Sequence, residues 1–98
     1  MTRLQYADTA LADLADLHDW IAADNPNRAA SFVDEMLEAC RLVAAHPRIG
    51  RLREDLGPGV RVHVHQKRNI AYRDHGDRVV VIRVVHGSAD LADALKSD

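Results

Sequence analysis

The chain has one cysteine, Cys40, so it can form no internal disulfide. Usage of that kind fits a reducing compartment. No stretch approaches the roughly 18 continuous apolar residues that a membrane helix needs. The charged N-terminus is not followed by the apolar run of a secretory signal. A soluble, cytoplasmic protein with no membrane association is therefore expected. Aromatic residues make up only 4% of the chain, and the strand-like segments lack the interleaved aromatics on which single-stranded nucleic acid stacks. Trp20 and Phe32 both fall in helical periodicity and read as core or helix-packing residues. Repeats and low-complexity tracts are absent. His63 and His65, two residues apart on an alternating segment, have no evident third ligand, so no metal site is expected; no motif calls for a cofactor.

What is present suffices for one core. Ninety-eight residues, 47% of them apolar, fit a single domain over residues 1–98. The formal net charge is only −2, but it is unevenly spread. Residues 1–46 carry three basic and eight acidic side chains, whereas residues 47–86 carry nine basic and four acidic ones. Such asymmetry suits either an anionic partner for the basic half or solvated faces that simply differ.

Hydrophobic periodicity divides the chain. Leu4 and Tyr6 share one side of a short strand, Arg3 to Tyr6. From Asp8 onward Ala10, Leu11, Leu14, Leu17 and Ile21 recur at helical spacing, with Thr9 or Asp8 as the expected N-cap. Asn25-Pro26-Asn27 breaks that helix and starts another, because Asn25 is a good N-cap and Pro26 suits the first helical position. The second helix carries Ala29, Phe32, Val33, Met36, Leu37, Cys40, Val43 and Ala44 inward and ends near His46, before Pro47 and Gly50.

A Gly- and Pro-punctuated basic linker follows, read as a loop with at most one helical turn. Val60, Val62 and Val64 then alternate with Arg61, His63 and His65, the pattern of a strand buried on one face. Gln66-Lys67 turns the chain into a strand from Arg68 to Arg73. Asp74-His75-Gly76-Asp77 makes a second hairpin, with Gly76 supplying the positive backbone dihedral. The apolar run from Val79 to Val85 predicts a central strand covered on both faces. Beyond Gly87, Ala89 to Leu95 is a weakly helical tail. The expected fold is α+β: an N-terminal strand, a helical hairpin, then a three-stranded antiparallel meander with the hairpin packed on one face. The first strand joins the sheet edge or lies beside the last.

Taken in order, Ala10-x-x-Asp13-Leu14, Asn25-Pro26-x-x-Ala29, His46-Pro47-x-Ile49-Gly50-Arg51, Gly59-Val60-Arg61, Ile70-Ala71-Tyr72-Arg73 and Ile82-Arg83-Val84-Val85-His86-Gly87 resemble the ParE toxins of the RelE/ParE superfamily over nearly the whole chain. The resemblance implies the toxin of a type II toxin–antitoxin or plasmid-stabilisation module. It implies as partner a cognate antitoxin protein, ParD-like or similar, whose C-terminal segment wraps the toxin in a hetero-oligomer and through which alone operator DNA is reached. For ParE-like members the implied target is DNA gyrase; for RelE-like members it is messenger RNA on the ribosome.

A RelE-like endoribonuclease needs clustered basic groups and a general acid or base. Its branch often supplies a tail tyrosine, and the tail from Gly87 has none. Arg61, Arg83 and His86 are the residues that would serve a nuclease here. The reading favoured is a gyrase-binding toxin without catalytic chemistry. The alternatives are the mRNA endoribonuclease and a degenerate member that only binds an antitoxin. Arg51, Arg53, Lys67, Arg68, Arg73 and Arg83 are the candidates for meeting antitoxin or target, against solvated charge. Arg83, interrupting an apolar strand, is either a partner contact or half of an ion pair with a helix aspartate. His86 is either catalytic or a packing residue, and Cys40 reads as a small buried apolar side chain. Exposed apolar surface left for a partner is expected to favour association.

Overall fold

The computed structural model describes residues 3–96. In chain order they form β1 (Arg3–Tyr6), α1 (Asp8–Ala22), α2 (Pro26–Ala45), β2 (Arg51–Leu52), one 3-10 turn (Glu54–Leu56), β3 (Val60–His65), β4 (Arg68–Asp74), β5 (Arg78–His86) and α3 (Leu91–Leu95). The sheet order is β1-β5-β4-β3-β2. All neighbours are antiparallel except β1, which lies parallel to β5. The meander and the place of the first strand agree with the sequence pattern. Two residues of β2 extend the sheet by an edge strand too short for any periodicity to reveal. The central strand is β4, whereas β5 is second from the edge. Among the described residues no helix is long and apolar enough to cross a membrane.

The two long helices start differently. Asn25 caps α2 as expected, its Oδ1 accepting from the Arg28 amide at 3.0 Å. The N-cap of α1 is instead Ala7, with no side-chain cap. Neither Thr9 nor Asp8 takes that role, because Thr9 is used elsewhere. β1 stops at Tyr6, leaving the rest of the β5 edge without a strand, and α1 runs on alongside it. The Ala7 amide donates to Val81 O at 2.9 Å, Thr9 Oγ1 donates to Ile82 O at 2.8 Å, and the Val84 amide donates to Asp13 Oδ2 at 2.9 Å. Four helical residues advance about 6 Å and two strand residues about 6.6 Å, so Thr9 and Asp13 keep step with Ile82 and Val84. Side chains of α1 thus do the work of an edge strand's backbone.

The main core lies between the helical hairpin and the sheet. It joins Ala10, Leu14 and Leu17 of α1, Met36, Ala39, Cys40 and Val43 of α2, Ile70 and Tyr72 of β4, and Val79, Val81 and Val84 of β5. Odd and even residues of β5 can both face the helices because the register shifts. Tyr72 stands opposite Val81 while Ala71 stands opposite Arg83, so Ile82 is an extra residue that reverses the alternation. Leu11, expected in the core stripe, is 49% exposed. The valine face of β3 turns away from the helices: Val62 packs with Ala71 and Leu91 in a second, smaller cluster beneath α3.

Tyr72, fully buried, locks the linker onto the sheet. Its Oη donates to Pro47 O at 2.6 Å and accepts from the Gly50 amide at 2.9 Å, while Arg61 Nη1 donates to Gly50 O at 2.9 Å. A Cβ on Gly50 would sit 2.5 Å from Tyr72 Oη, so only glycine allows this approach. Replacing Tyr72 by Phe strands the Gly50 amide and one Pro47 lone pair, and should lower stability by about 1–3 kcal/mol in urea unfolding.

Burial also governs the Cys40 thiol, pushed up to about 11, and Tyr6, pushed up to about 12 first by burial and then by Cys40 beside it. Above the ordinary thiol range the unfolded chain loses these protons before the folded one does. Stability should therefore fall as pH rises through about 9 to 11. A Cys40→Ala variant should show a shallower alkaline loss in unfolding curves measured across that range.

Candidate protein-binding face

The sheet has one face under α1 and α2 and an opposite face that α3 and the 3-10 turn at Glu54–Leu56 partly cover. The register assigns side chains to that second face. Arg51 stands opposite Val62, which stands opposite Ala71; Val60 stands opposite Arg73, and Val64 opposite Asn69. The Arg53 amide continues β2 by donating to Val60 O at 2.7 Å. Arg51, Arg53, Val62, Val64, Asn69 and Leu91 line a depression of about 170 Å³. The floor is apolar, with Val64 61% exposed, and the rim is guanidinium.

The arginines on this face are not equivalent. Arg53 holds Asp55 through two bonds, Nε to Oδ1 at 2.9 Å and Nη2 to Oδ2 at 2.8 Å, and this pairing lowers the Asp55 carboxyl and raises Arg53. Arg73 Nε donates to Pro58 O at 3.1 Å. Arg51 is exposed and makes no ion pair among the described residues. The acidic residues of the N-terminal half lie on α1 and α2, save Asp24 in the turn between them. The charge asymmetry of the sequence is therefore one between the two layers of the fold.

Lys67 and Arg68 do not join this cluster. They sit at the far end of the β3–β4 hairpin, roughly 17 Å along the strand. Gln66 and Lys67 adopt positive φ values of 46° and 65° there, the conformation of a tight two-residue turn. Arg68 lies over the Phe32 ring at 5.8 Å and Arg28 over the same ring at 5.0 Å, and Glu35 ties Arg28 to Gln66. Phe32 is thus a packing residue between two cations.

Arg61, Arg83 and His86 do not converge. Arg61 pairs with Tyr72 and faces the helices, whereas Arg83 pairs with Ala71 and starts from the other face. Arg83 is an ion-pair partner of a helix aspartate: Nε meets Asp13 Oδ2 at 2.7 Å and Nη2 meets Oδ1 at 2.9 Å, with 17% and 12% of the two side chains exposed. Its Nη1 donates to Ala94 O of α3 at 2.6 Å. His86 Nδ1 accepts from the Ser88 amide at 3.1 Å and bonds Ser88 Oγ at 2.7 Å, which leaves the proton of the neutral ring on Nε2. His63 and His65 face the helical side; burial, then His65, lowers His63. Among the described residues no cluster of three or more metal-ligating side chains exists.

Trp20 departs most from its expected role. It is 74% exposed, beside a cleft of about 450 Å³ where Asp16 and Leu17 face Arg68, Val84 and His86. Helical spacing makes Trp20 a neighbour of Leu17, but the buried stripe runs through Ala10, Leu14 and Leu17 toward Ile21, and Trp20 stands to one side of it. A second groove, about 620 Å³, runs along α2 past Ala39, Leu42 and Ala45 to His65.

A family model for the ParE toxin of type II toxin–antitoxin systems, parDE, matches residues 4–91. Toxin ParE3 of Caulobacter vibrioides is 40% identical over 50 residues, which are 51% of this chain and 50% of that protein. The chain thus spans about half the length of that relative. Among solved structures, the chromosomal ParDE toxin–antitoxin system from P. aeruginosa is similar with a TM-score of 0.76 at 22% identity, covering 88% of this chain and 96% of that one. The toxin–antitoxin complex RelBE2 from Mycobacterium tuberculosis is similar with a TM-score of 0.64 at 26% identity, covering 87% and 96%. The first of these likenesses concerns the fold alone.

The Asp13–Arg83 geometry has a testable cost. Arg83→Met leaves a largely buried carboxylate unpaired and should destabilise by about 3 kcal/mol or more, whereas Asp13→Leu combined with Arg83→Met should recover much of that loss in urea unfolding.

Proposed function

Because the chain belongs to the ParE toxin family of type II toxin–antitoxin systems, we propose that it acts in the cytoplasm, as one domain, by binding DNA gyrase, and that a ParD-like antitoxin neutralises it by covering the arginine-rich face of the sheet. The observation that carries this reading is the combination of Arg51, Arg53 and Arg73 with an apolar floor on which Val64 is exposed beside the buried Val62. Such a surface suits an amphipathic, acidic segment: apolar side chains fill the floor, and carboxylates meet the rim. Operator DNA is then reached through the antitoxin, since the helical layer is acidic and would repel phosphates.

Binding rather than RNA cleavage is supported by the separation of the basic groups. An endoribonuclease must gather a base, an acid and charge stabilisers around one phosphate. Arg61 is spent on Gly50 O, Arg83 on Asp13 and Ala94 O, and these two arginines leave the sheet on opposite faces.

Purified gyrase should lose supercoiling activity when the protein is added and regain it with the cognate antitoxin, while ribosome-bound message stays intact. Cleaved message with unchanged supercoiling overturns this reading, and neither effect marks a chain that only binds an antitoxin. Arg51→Glu with Arg73→Glu should weaken antitoxin binding at least about tenfold in calorimetry, with a smaller loss at high salt.

A further inference from the structure

We infer that the free protein associates head to tail, with Trp20 of one copy seated in the depression between Arg51 and Val64 of the next. The two surfaces are complementary in shape class and in charge. The knob is an indole that is 74% exposed on a helix that also carries Asp16 and Asp19, with Asp24 in the turn that follows it. The socket is the depression of about 170 Å³ whose floor is Val62, Val64 and Leu91 and whose rim is Arg51 and Arg53. An indole fills such a floor, its face takes a guanidinium, and flanking carboxylates meet the remaining arginine hydrogen-bond donors.

Charge selects the occupant. Carboxylates beside Trp20 oppose nucleic acid stacking on it, while Arg51 of the socket, exposed and in no ion pair among the described residues, calls for an acidic companion. Each copy of the chain carries both halves, and at the concentrations that follow loss of the antitoxin a second copy is the partner always present.

The fold also dictates the symmetry. Trp20 lies on the helical layer and the socket on the opposite face of the sheet, so a molecule cannot fill its own socket. A knob-to-socket contact is not self-complementary, and it leaves one knob and one socket open at the ends. Assembly of this kind does not stop at a symmetric dimer, and runs on into a ring or an open chain according to the rotation between copies. The association does not need the antitoxin reading to hold; if the antitoxin takes the same face, it displaces the neighbouring copy.

Sedimentation of the protein at low salt should give a mass that rises with concentration beyond a dimer and falls back at high salt. Trp20 is the only tryptophan, so its emission should shift to the blue over the same range. Trp20→Ser and Arg51→Glu/Val64→Asp should each be monomeric, with unchanged thermal melts because all three side chains are exposed. Mixed in equal amounts, the two variants should form a dimer and stop there, since one supplies the only knob and the other the only socket.

A concentration-independent monomer, a wild-type mass for either variant, or a mixture that stays monomeric overturns the inference. A dimer built on the α2 groove would survive both substitutions and would overturn it as well. Antitoxin binding is measured separately on Trp20→Ser, whose socket is intact. Wild-type affinity there, whatever the sedimentation result, keeps the two readings apart.

Discussion

The Asp13 carboxylate satisfies three groups that would otherwise be stranded at one sheet edge. It accepts from the Val84 amide and from both arms of the Arg83 fork, and Arg83 in turn reaches the Ala94 carbonyl of α3. One carboxylate therefore links the first helix, the last long strand and the last helix. A charge in the middle of Val79–Val85 is tolerable only because this partner is in place. The bulge at Ile82 is part of the same arrangement, since it returns Val84 to the helical core after Arg83 has been directed out of it.

Tyr72 plays the matching part on the other side of the molecule. The helical hairpin ends at Ala45, and the chain must cross to the opposite edge of the sheet before β3 can begin. The phenol holds that crossing at Pro47 and Gly50, and Arg61 holds it again at Gly50 O. Three separated sequence blocks, around Gly50, Arg61 and Tyr72, thus meet in one hydrogen-bonded latch. The remaining surface is free to be charged: acidic where the helices face solvent, basic where the sheet does.

The sequence was most legible where periodicity carried the information. Both helices, the capping of α2 by Asn25, the two hairpins and the burial of Cys40 follow from spacing and local chemistry. Misreadings arose where a side chain served a distant element. Thr9 looks like a cap by position, yet its hydroxyl is drawn to Ile82 O, 73 residues away. β2 is too brief to carry a pattern. Val60, Val62 and Val64 announce a buried face, but alternation cannot say which layer covers it, nor that the cover stops short of Val64. Trp20 reads as a packing residue because it falls in helical periodicity; only the direction of the buried stripe shows that it stands aside. The five candidate arginines and one lysine can be picked out by residue type, but not sorted. The register groups Arg51, Arg53 and Arg73, removes Lys67 and Arg68 to the far hairpin, and commits Arg83 to Asp13.

The pairing of helix and strand advance along β5 also sets where the chain can change length. Thr9 and Asp13 stay in step with Ile82 and Val84 only while four residues of α1 span two of β5. A residue inserted between Thr9 and Asp13 turns the carboxylate about 100° around the helix and releases Arg83, Val84 and α3 together. The Glu54–Gly59 segment is largely exposed and takes no part in these bonds; with Leu56 held on the Leu91 cluster, it can lengthen around Pro58 and Gly59. Length variation among relatives of this fold should therefore collect in that segment and be excluded from the first turns of α1.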